Sequence, residues 1–172
     1  WHELAQLDAG SWHSRTYAGE PLLTLANLAR FCRHNRYLLN IEIKPTPGTE
    51  RRTGEAVARE AAALWKDAES GHETPPLLTS FKPEALAGAQ ATAPHLPRGL
   101  LIDTWREGWL AEAQQFGCQA VVCNYALWDT LTVAQVHAAG MRCLSYTVND
   151  EWAVEHLLQL GTDGIITDRV DL

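Results

Sequence analysis

The fold is decided by the stretch Asp129-Thr-Leu-Thr-Val-Ala-Gln-Val-His-Ala-Ala-Gly140 and by Arg142-Cys-Leu-Ser-Tyr-Thr-Val-Asn149, which follows after Met141. The first part predicts a helix with Asp129 as its N-cap and Gly140 just past its end, where glycine suits a left-handed backbone. The second part is a short, mostly apolar run that ends in polar side chains, which predicts a strand. The stretch is therefore one helix followed by one strand.

The same unit recurs along the chain. In the second half it is predicted again as Thr104–Phe116, Gly117 and Ala120–Asn124, and as Asp150–Leu160, Gly161 and Gly164–Asp168, with Asn149 or Asp150 as a further N-cap. In the first half the predicted helices are Pro21–Arg36, Gly54–Lys66 and Pro83–Ala91, and the predicted strands are Leu38–Lys44, Pro76–Phe81 and Arg98–Asp103. Two polar loops, Thr46–Thr53 and Asp67–Pro75, are expected to be surface excursions.

Six short apolar strands alternating with helices indicate a parallel sheet covered by helices. An open doubly wound sheet and a barrel both satisfy this pattern, but no glycine-rich phosphate loop follows the first strand. Polar residues instead stand at the C-terminal end of every strand, where barrel enzymes place their chemistry. We therefore predict an α/β fold, a TIM-type (β/α)8 barrel of which about six βα units are present, with residues 1–172 as a single domain and about two N-terminal units absent.

Composition limits the classes of partner. The net charge of −7 and the pI near 5.4 argue against nucleic acid or an anionic membrane. No apolar run reaches the length of about 18 residues that a membrane span needs. The four cysteines form no CxxC pair and no ligand spacing with histidine, so they are expected to be buried free thiols in a reducing, cytoplasmic compartment. The seven tryptophans are scattered and predict no stacking platform.

The strand Leu38–Lys44 carries the candidate site. Period two places Asn40, Glu42 and Lys44 on one face and the aliphatic residues on the other, which would pack against helices. Near the open end of a barrel, a carboxylate can hold a divalent cation and an ammonium can bind a phosphate oxygen. The alternative is a simple ion pair on a half-exposed edge strand, worth at most about 1 kcal/mol.

Six motifs follow one another along the chain: Leu7-Asp-Ala-Gly-Ser-Trp12, Gly19-Glu-Pro-Leu-Leu-Thr-Leu25, Asn40-Ile-Glu-Ile-Lys-Pro45, Leu78-Thr-Ser-Phe81, Tyr146-Thr-Val-Asn149 and Gly161-Thr-Asp-Gly-Ile-Ile-Thr-Asp168. In this order they closely resemble the glycerophosphodiester phosphodiesterases, especially the bacterial cytoplasmic type, over essentially the whole chain. The resemblance implies the C-terminal part of a barrel that hydrolyses small-molecule glycerophosphodiesters to sn-glycerol 3-phosphate and an alcohol. It also implies a divalent cation, Mg²⁺ or Ca²⁺, and leaves the oligomeric state open.

The resemblance assigns roles to individual residues. Glu42 resembles the metal-ligand glutamate of the family and Lys44 the phosphate-contacting lysine, so these two are the candidate catalytic residues. The implied substrate-binding residues are Lys44, Phe81, Asn124, Tyr146 and Asn149, with Tyr146 standing where a tryptophan is frequent. The family's His-Arg-Gly, Glu-x-Asp and His-Asp motifs lie before the position of Trp1. Residues 1–172 by themselves are therefore expected to be inactive.

Three alternatives stay open: a lysolipid or sphingolipid phosphodiesterase, a catalytically dead barrel that binds a glycerophosphate or a partner protein, and a structural fragment. The histidines are expected in surface or capping positions, with His13 as the one whose loop could approach the site. Asp103 and Asp168 are expected to cap helices, although either carboxylate could bind metal. Phe81, Tyr146 and Trp105 are each either a core or a pocket aromatic.

Overall fold

A computed structural model describes residues 1–66 and 73–171. Most of the predicted loop Asp67–Pro75, His72 included, lies outside these residues. The chain forms two compact units, Trp1–Leu38 and Leu39–Leu172. The single domain expected over residues 1–172 stays a prediction.

The first unit contains a loop region followed by one helix. Two short 3-10 helices, Leu4–Gln6 and Arg15–Tyr17, precede α1, which spans Leu25–Asn35. The helix begins later than the predicted Pro21, because Pro21 forms a β-bridge with Asp8. Its N-cap is Thr24, whose hydroxyl accepts a hydrogen bond from the N–H of Asn27 at 3.1 Å.

The Leu7–Trp12 motif of this unit is organised by the carboxylate of Asp8. That carboxylate accepts hydrogen bonds from the N–H groups of Gly10, Ser11 and Gly19 and from the Ser11 hydroxyl. The Ser11 bonds, with those from Gly10 and Gly19, hold the pKa of Asp8 far below its usual range. A Cβ on Gly10 would lie 1.9 Å from the carbonyl oxygen of Tyr17, so this turn requires glycine. The motif thus has a structural reason of its own.

The second unit alternates strands and helices throughout its described length. Its strands are β1 Asn40–Glu42, β2 Leu77–Ser80, β3 Arg98–Ile102, β4 Ala120–Asn124, β5 Arg142–Tyr146 and β6 Gly164–Ile165. Its α-helices are α2 Glu50–Leu64, α3 Pro83–Thr92, α4 Trp109–Gln115, α5 Thr130–Ala138 and α6 Glu151–Leu160, and a 3-10 helix covers Tyr125–Leu127.

All six strands are parallel, and each pairs with its neighbour in sequence, in the order β1-β2-β3-β4-β5-β6. A doubly wound sheet would reverse its order at a switch point, whereas a barrel adds strands in sequence. The sheet curls as half of a barrel, with helices between its strands, and the predicted partial TIM-type fold is confirmed.

The sheet separates two apolar layers. On the helix side, the largest cluster joins strand residues such as Ile102 and Val121 to helix residues such as Val136 and Leu157. On the inner side, Leu101, Ala120 and Val122 form a smaller layer. Side chains therefore alternate between the two faces along the central strands, as strand geometry requires.

The helices α2 and α3 approach each other closely at two glycines. A Cβ on Gly54 would lie 1.9 Å from the carbonyl oxygen of Ala85, and one on Gly88 would lie 2.2 Å from that of Arg51. The glycines predicted beyond the later helices serve differently. Gly117, Gly140 and Gly161 have φ values of 59°, 74° and 81°, as expected for left-handed helix ends.

Two helix starts in the second unit also differ from the prediction. The loop predicted over Thr46–Thr53 ends early, because α2 begins at Glu50, whose carboxylate accepts the N–H of Gly48 at 3.0 Å. Backbone N–H groups, its own and that of Gly48, lower the pKa of Glu50. The helix predicted from Thr104 begins at Trp109 after Gly108, so Asp103 does not cap it.

The expected N-cap at Asp129 is confirmed, because its carboxylate and Thr132 form a reciprocal capping box. Hydrogen bonds from Thr132 lower the pKa of this carboxyl. All four cysteines are buried free thiols, also as expected. Within residues 1–66 and 73–171, no helix is both long and apolar enough to cross a bilayer.

Candidate active site

The site begins where β1 and β2 end side by side. Glu42 pairs in register with Thr79, and the N–H of Ile43 donates to the carbonyl oxygen of Thr79 at 2.7 Å. Ile43 is buried in the cluster formed with α2 and α3, so the side chains on either side of it point away from the helices. This alternation places Glu42 and Lys44 together on the opposite face.

Ser80 fastens these two strand ends. Its buried hydroxyl donates to the carbonyl oxygen of Ile43 at 2.8 Å and accepts the N–H of Lys82 at 3.1 Å. The backbone between Glu42 and Lys44 is therefore fixed from the neighbouring strand. The sequence located Ser80 at a strand end but did not indicate this role.

Glu42 and Lys44 form an ion pair, with 3.5 Å between Oε2 and Nζ. The side chain of Glu42 is 32% exposed and that of Lys44 is 78% exposed, so water screens the pair and the lysine is free to move. A cavity over this pair is lined by Glu42, Ile43, Lys44, Pro45, Ser80, Phe81 and Lys82. Both alternatives from the sequence, an edge-strand ion pair and a ligand site, share this geometry.

Phe81 and Tyr146 come together beside this cavity. Phe81 lines it, and the two rings meet edge to face with their centroids 5.8 Å apart. Tyr146 ends β5, and its hydroxyl donates to the carbonyl oxygen of Ile102 at 2.9 Å. The phenol is thus held across β3 and β5 as a rigid wall.

The pKa of Tyr146 depends on burial and on nearby carboxylates. Burial raises the pKa of Tyr146 to about 12, and the negative charges of Asp103 and Glu42 act in the same direction. The phenol is therefore neutral at physiological pH. Asp103 directly follows β3, at the same end of the parallel sheet as Glu42, so its carboxylate stays a candidate oxygen donor.

Asn124 ends β4 and Asn149 lies in the loop between β5 and α6, and both side chains are engaged in hydrogen bonds. Asn124 Oδ1 accepts the N–H of Ala126 at 3.0 Å and caps the short 3-10 helix after β4. Asn149 Oδ1 accepts from the N–H of Asp168 at 3.0 Å and from the Thr167 hydroxyl at 3.1 Å. The Asn149 amide also donates to Asp168 Oδ2, so this carboxylate is tied to the end of β5 and caps no helix within the described residues. The substrate-binding role of Asn124 and Asn149 stays a prediction.

Trp105 belongs to an aromatic cluster with Trp109 and Trp128, at centroid distances of 4.5 Å and 5.9 Å. Its indole N–H donates to the carbonyl oxygen of Leu127, and all three rings pack on the main core. The core interpretation of Trp105 is therefore the better one. These three tryptophans are brought together after β3 and β4 and pack on the core.

The model of the Glycerophosphoryl diester phosphodiesterase family matches residues 1–172. The chain belongs to this family. Among curated glycerophosphodiester phosphodiesterases, it is 27% identical to one from Bacillus subtilis, over 99% of this chain and 61% of that protein. It is 26% identical to one from Caldanaerobacter subterraneus subsp. tengcongensis, over 96% of this chain and 66% of that protein.

Solved structures agree with this membership. A phosphodiesterase from Oleispira antarctica, in complex with the product sn-glycerol-3-phosphate, matches with a TM-score of 0.84 and 30% identity. That match covers 97% of this chain and 66% of the other. A glycerophosphodiester phosphodiesterase from Agrobacterium tumefaciens shares the fold, with a TM-score of 0.73 at 22% identity and coverage of 98% and 68%. The chain therefore spans about two thirds of the length of these family members.

The donor set at the strand ends fits part of a shell for a hard divalent cation. Glu42 and Asp103 offer carboxylate oxygens, the ligand type that Mg²⁺ and Ca²⁺ prefer. Mg²⁺ is commonly held by one or two carboxylates together with substrate phosphate and water, whereas Ca²⁺ takes 6–8 oxygens. Within the described residues, the one three-ligand group of His, Cys, Asp and Glu lies elsewhere, at His137, Cys143 and Asp163. Glu42 therefore fits as one ligand of a larger set.

Proposed function

We propose that the full-length protein containing this chain hydrolyses glycerophosphodiesters to sn-glycerol 3-phosphate and an alcohol, with Mg²⁺ or Ca²⁺. The observation that carries the proposal is the pairing of Glu42 with Lys44, 3.5 Å apart at the C-terminal end of β1, in a member of this family. One side chain offers a carboxylate to a cation and the other a positive charge to a phosphate.

Each residue of the site has a separate task in this proposal. Lys44 would bind a non-bridging phosphate oxygen and offset the charge that grows there in the transition state. Glu42 would hold the cation, which when bound supplies Lewis-acid stabilisation of the phosphoryl oxygens. The ion pair is screened by water, so Lys44, which is 78% exposed, can turn towards substrate.

The aromatic wall would position the organic part of the substrate. Phe81 lines the cavity beside Lys44, and Tyr146 supports its ring edge to face. The Tyr146 hydroxyl is already bonded to the carbonyl oxygen of Ile102, so it presents an apolar ring surface and not a proton donor. That surface suits the carbon atoms of the glycerol group.

We also propose that residues 1–172 alone are inactive. Glu42 supplies one carboxylate. Within the described residues no group of three ligand-type side chains includes it, and a cation site of this kind needs further ligands. The chain would then bind a glycerophosphate weakly through Lys44 without hydrolysing it.

The test compares Glu42→Gln and Lys44→Met in the full-length protein, using glycerophosphocholine with saturating Mg²⁺ or Ca²⁺. We expect Glu42→Gln to lower kcat/KM by at least about 100-fold, the upper range for lost support of a metal. Lys44→Met should lower kcat by about 100- to 1,000-fold, as for a lost oxyanion partner. Glu55→Gln, which removes an exposed helix ion pair with Arg51, is the matched control.

Full activity of Glu42→Gln at saturating cation would contradict the ligand assignment. Binding of sn-glycerol 3-phosphate by the full-length protein without any turnover would instead favour a binding protein.

A further inference from the structure

A second cluster of ligand-type side chains lies at the other end of the sheet. Cys143 is the second residue of β5, Asp163 directly precedes β6, and His137 stands in the last turn of α5. These positions are at the N-terminal ends of the strands, whereas Glu42 and Lys44 are at the C-terminal end of β1. In barrels the two ends have separate roles. The cluster is therefore distinct from the candidate active site.

The three side chains converge closely. One ligand atom from each lies within 4.8 Å of the others. His137 Nε2 is 2.9 Å from Asp163 Oδ2. No sequence spacing indicated this group, because its members are brought together by strand pairing and by the return of α5.

The backbone fixes Asp163 beside Cys143. The N–H of Asp163 donates to the carbonyl oxygen of Cys143 at 2.8 Å, and the N–H of Cys143 donates to Asp163 Oδ2 at 2.7 Å. This reciprocal pair holds the carboxylate next to the thiol whether or not a ligand is bound. Ligands held in place before binding lose little conformational entropy when a metal arrives.

We propose that His137, Cys143 and Asp163 bind a divalent transition-metal ion, with Zn²⁺ as the first choice. The donor set of one sulfur, one imidazole nitrogen and one carboxylate oxygen is the set that suits Zn²⁺, whereas Mg²⁺ and Ca²⁺ take oxygen ligands alone. His137 and Asp163 are exposed, whereas Cys143 is buried and its thiol donates to the carbonyl oxygen of Val133 at 3.9 Å. The ion would reach the thiol from the solvent side.

The three ligand atoms lie within 4.8 Å of one another, so they must adjust to bind such an ion. Zn–N and Zn–O bonds of roughly 2.0–2.2 Å separate two ligand atoms by about 3.3 Å in a tetrahedron. The contact of 2.9 Å between His137 and Asp163 must therefore open by a few tenths of an ångström. His137 is at the end of a helix and partly exposed, so its ring can make this movement.

The charges around the cluster determine the proton balance. Burial raises the pKa of Cys143 to about 12, and the charge of Asp163 adds to this effect, so the metal-free thiol carries its proton. Burial raises the pKa of Asp163, but hydrogen bonds from the Cys143 N–H and His137 outweigh it and keep the carboxyl ionised. Binding one M²⁺ then forms a sulfur–metal bond and releases the S–H proton to solvent.

One neighbouring charge opposes the ion. The guanidinium of Arg142 lies 3.4 Å from Asp163 Oδ1. Its side chain is 74% exposed, so it can turn into solvent when a cation binds. Arg142→Gln should therefore tighten metal binding, whereas His137→Gln should weaken it.

The test is titration of the chain with Co²⁺, a spectroscopic substitute for Zn²⁺, followed by displacement with Zn²⁺. A thiolate-to-Co²⁺ charge-transfer absorption is expected, with one equivalent bound and with no response to Mg²⁺ or Ca²⁺. Cys143→Ala should abolish the band, and exposed His137→Gln should weaken Co²⁺ binding at least about 10-fold. Cys118→Ala, which removes a buried thiol beside Arg98, and Glu42→Gln should leave the band unchanged.

His137→Gln keeps the test decisive if Cys143→Ala folds poorly, because His137 is exposed. A wild-type protein that gives no charge-transfer band would overturn the proposal. The same holds for a band that persists at full strength and affinity in His137→Gln, or one that disappears in Cys118→Ala instead.

Discussion

The Ser80 hydroxyl holds the carbonyl oxygen of Ile43 at 2.8 Å, between the two residues of the candidate catalytic pair. Ser80→Ala leaves this carbonyl without its partner in a fully buried setting. The expected loss in the free energy of unfolding is about 1–3 kcal/mol, the range for an unsatisfied buried acceptor. Urea unfolding measures the loss, and kcat/KM of the full-length protein should fall with it because Glu42 and Lys44 lose their common support.

Ser145 offers a matched control. It is also a fully buried strand serine, but its hydroxyl has no hydrogen-bond partner in the part of the chain that the structure describes. Ser145→Ala should leave stability unchanged or raise it by up to about 1 kcal/mol, since an unpaired hydroxyl is removed from the core. Equal losses for the two variants would mean that the Ile43 contact contributes nothing specific.

The raised pKa of Tyr146 predicts a loss of stability at high pH. Its pKa is raised from 10.0 to about 12 in the folded chain, mainly by burial. The folded state then keeps a proton that the unfolded state has lost, so the contribution is complete below pH 10 and decreases as the pH rises towards 12. Unfolding of wild type and Tyr146→Phe should be compared across this window. The wild type should lose stability more steeply, and parallel curves would contradict the shift.

Gly54→Ala is expected to lower stability, although helix propensity alone would predict a gain. Alanine is favoured over glycine inside a helix by about 1 kcal/mol. A Cβ at Gly54 would nevertheless lie 1.9 Å from the carbonyl oxygen of Ala85, so Gly54→Ala must push α2 away from α3. We expect a loss of about 1–3 kcal/mol from overpacking, measured by urea unfolding. Ala56→Gly on the exposed face of α2 should cost only the propensity of about 1 kcal/mol. A gain in stability for Gly54→Ala would show that the helices adjust freely.

Replacing the buried Arg98 is expected to lower the free energy of unfolding strongly. Its guanidinium donates to carbonyl oxygens at the ends of α3 and α4, namely those of Ala93, Pro94, Leu96, Phe116 and Gly117. Arg98→Met should cost at least about 2 kcal/mol, because several buried carbonyls lose charged donors. Arg98→Lys should not restore the loss, since an ammonium lacks the planar fork. Arg51→Met, on an exposed i,i+4 pair, should cost no more than about 0.5 kcal/mol in the same thermal or urea unfolding series.

The sequence predicted those parts of the fold that depend on local chemistry. Ala120–Asn124 was predicted with both ends correct, because a buried central strand is apolar along its whole length. β1 was predicted as Leu38–Lys44 but covers Asn40–Glu42, because it lies at the edge of the described sheet and pairs on one side with β2 alone. Edge strands lack the second partner that would extend their ladder.

The site was predictable only where one strand carries it. Period two correctly placed Glu42 and Lys44 on one face, but the support from Ser80 depends on a contact 37 residues away along the chain. The group of His137, Cys143 and Asp163 likewise depends on strand register and on a helix turn. Neither relationship has a local pattern, so residue types and spacing alone could not indicate them.

The consecutive strand order has a consequence for how the protein assembles as it is made. Each described strand from β2 onwards pairs with the strand synthesised before it, so pairing never waits for a distant segment. A sheet that pairs strands adjacent in sequence has a lower contact order than one that pairs distant strands, and low contact order favours rapid folding. Domains generally fold from the N-terminus during translation. Each βα unit can therefore dock on the preceding one while the ribosome is still extending the chain, and among the described strands only β1 and the newest strand then present an open edge to other chains.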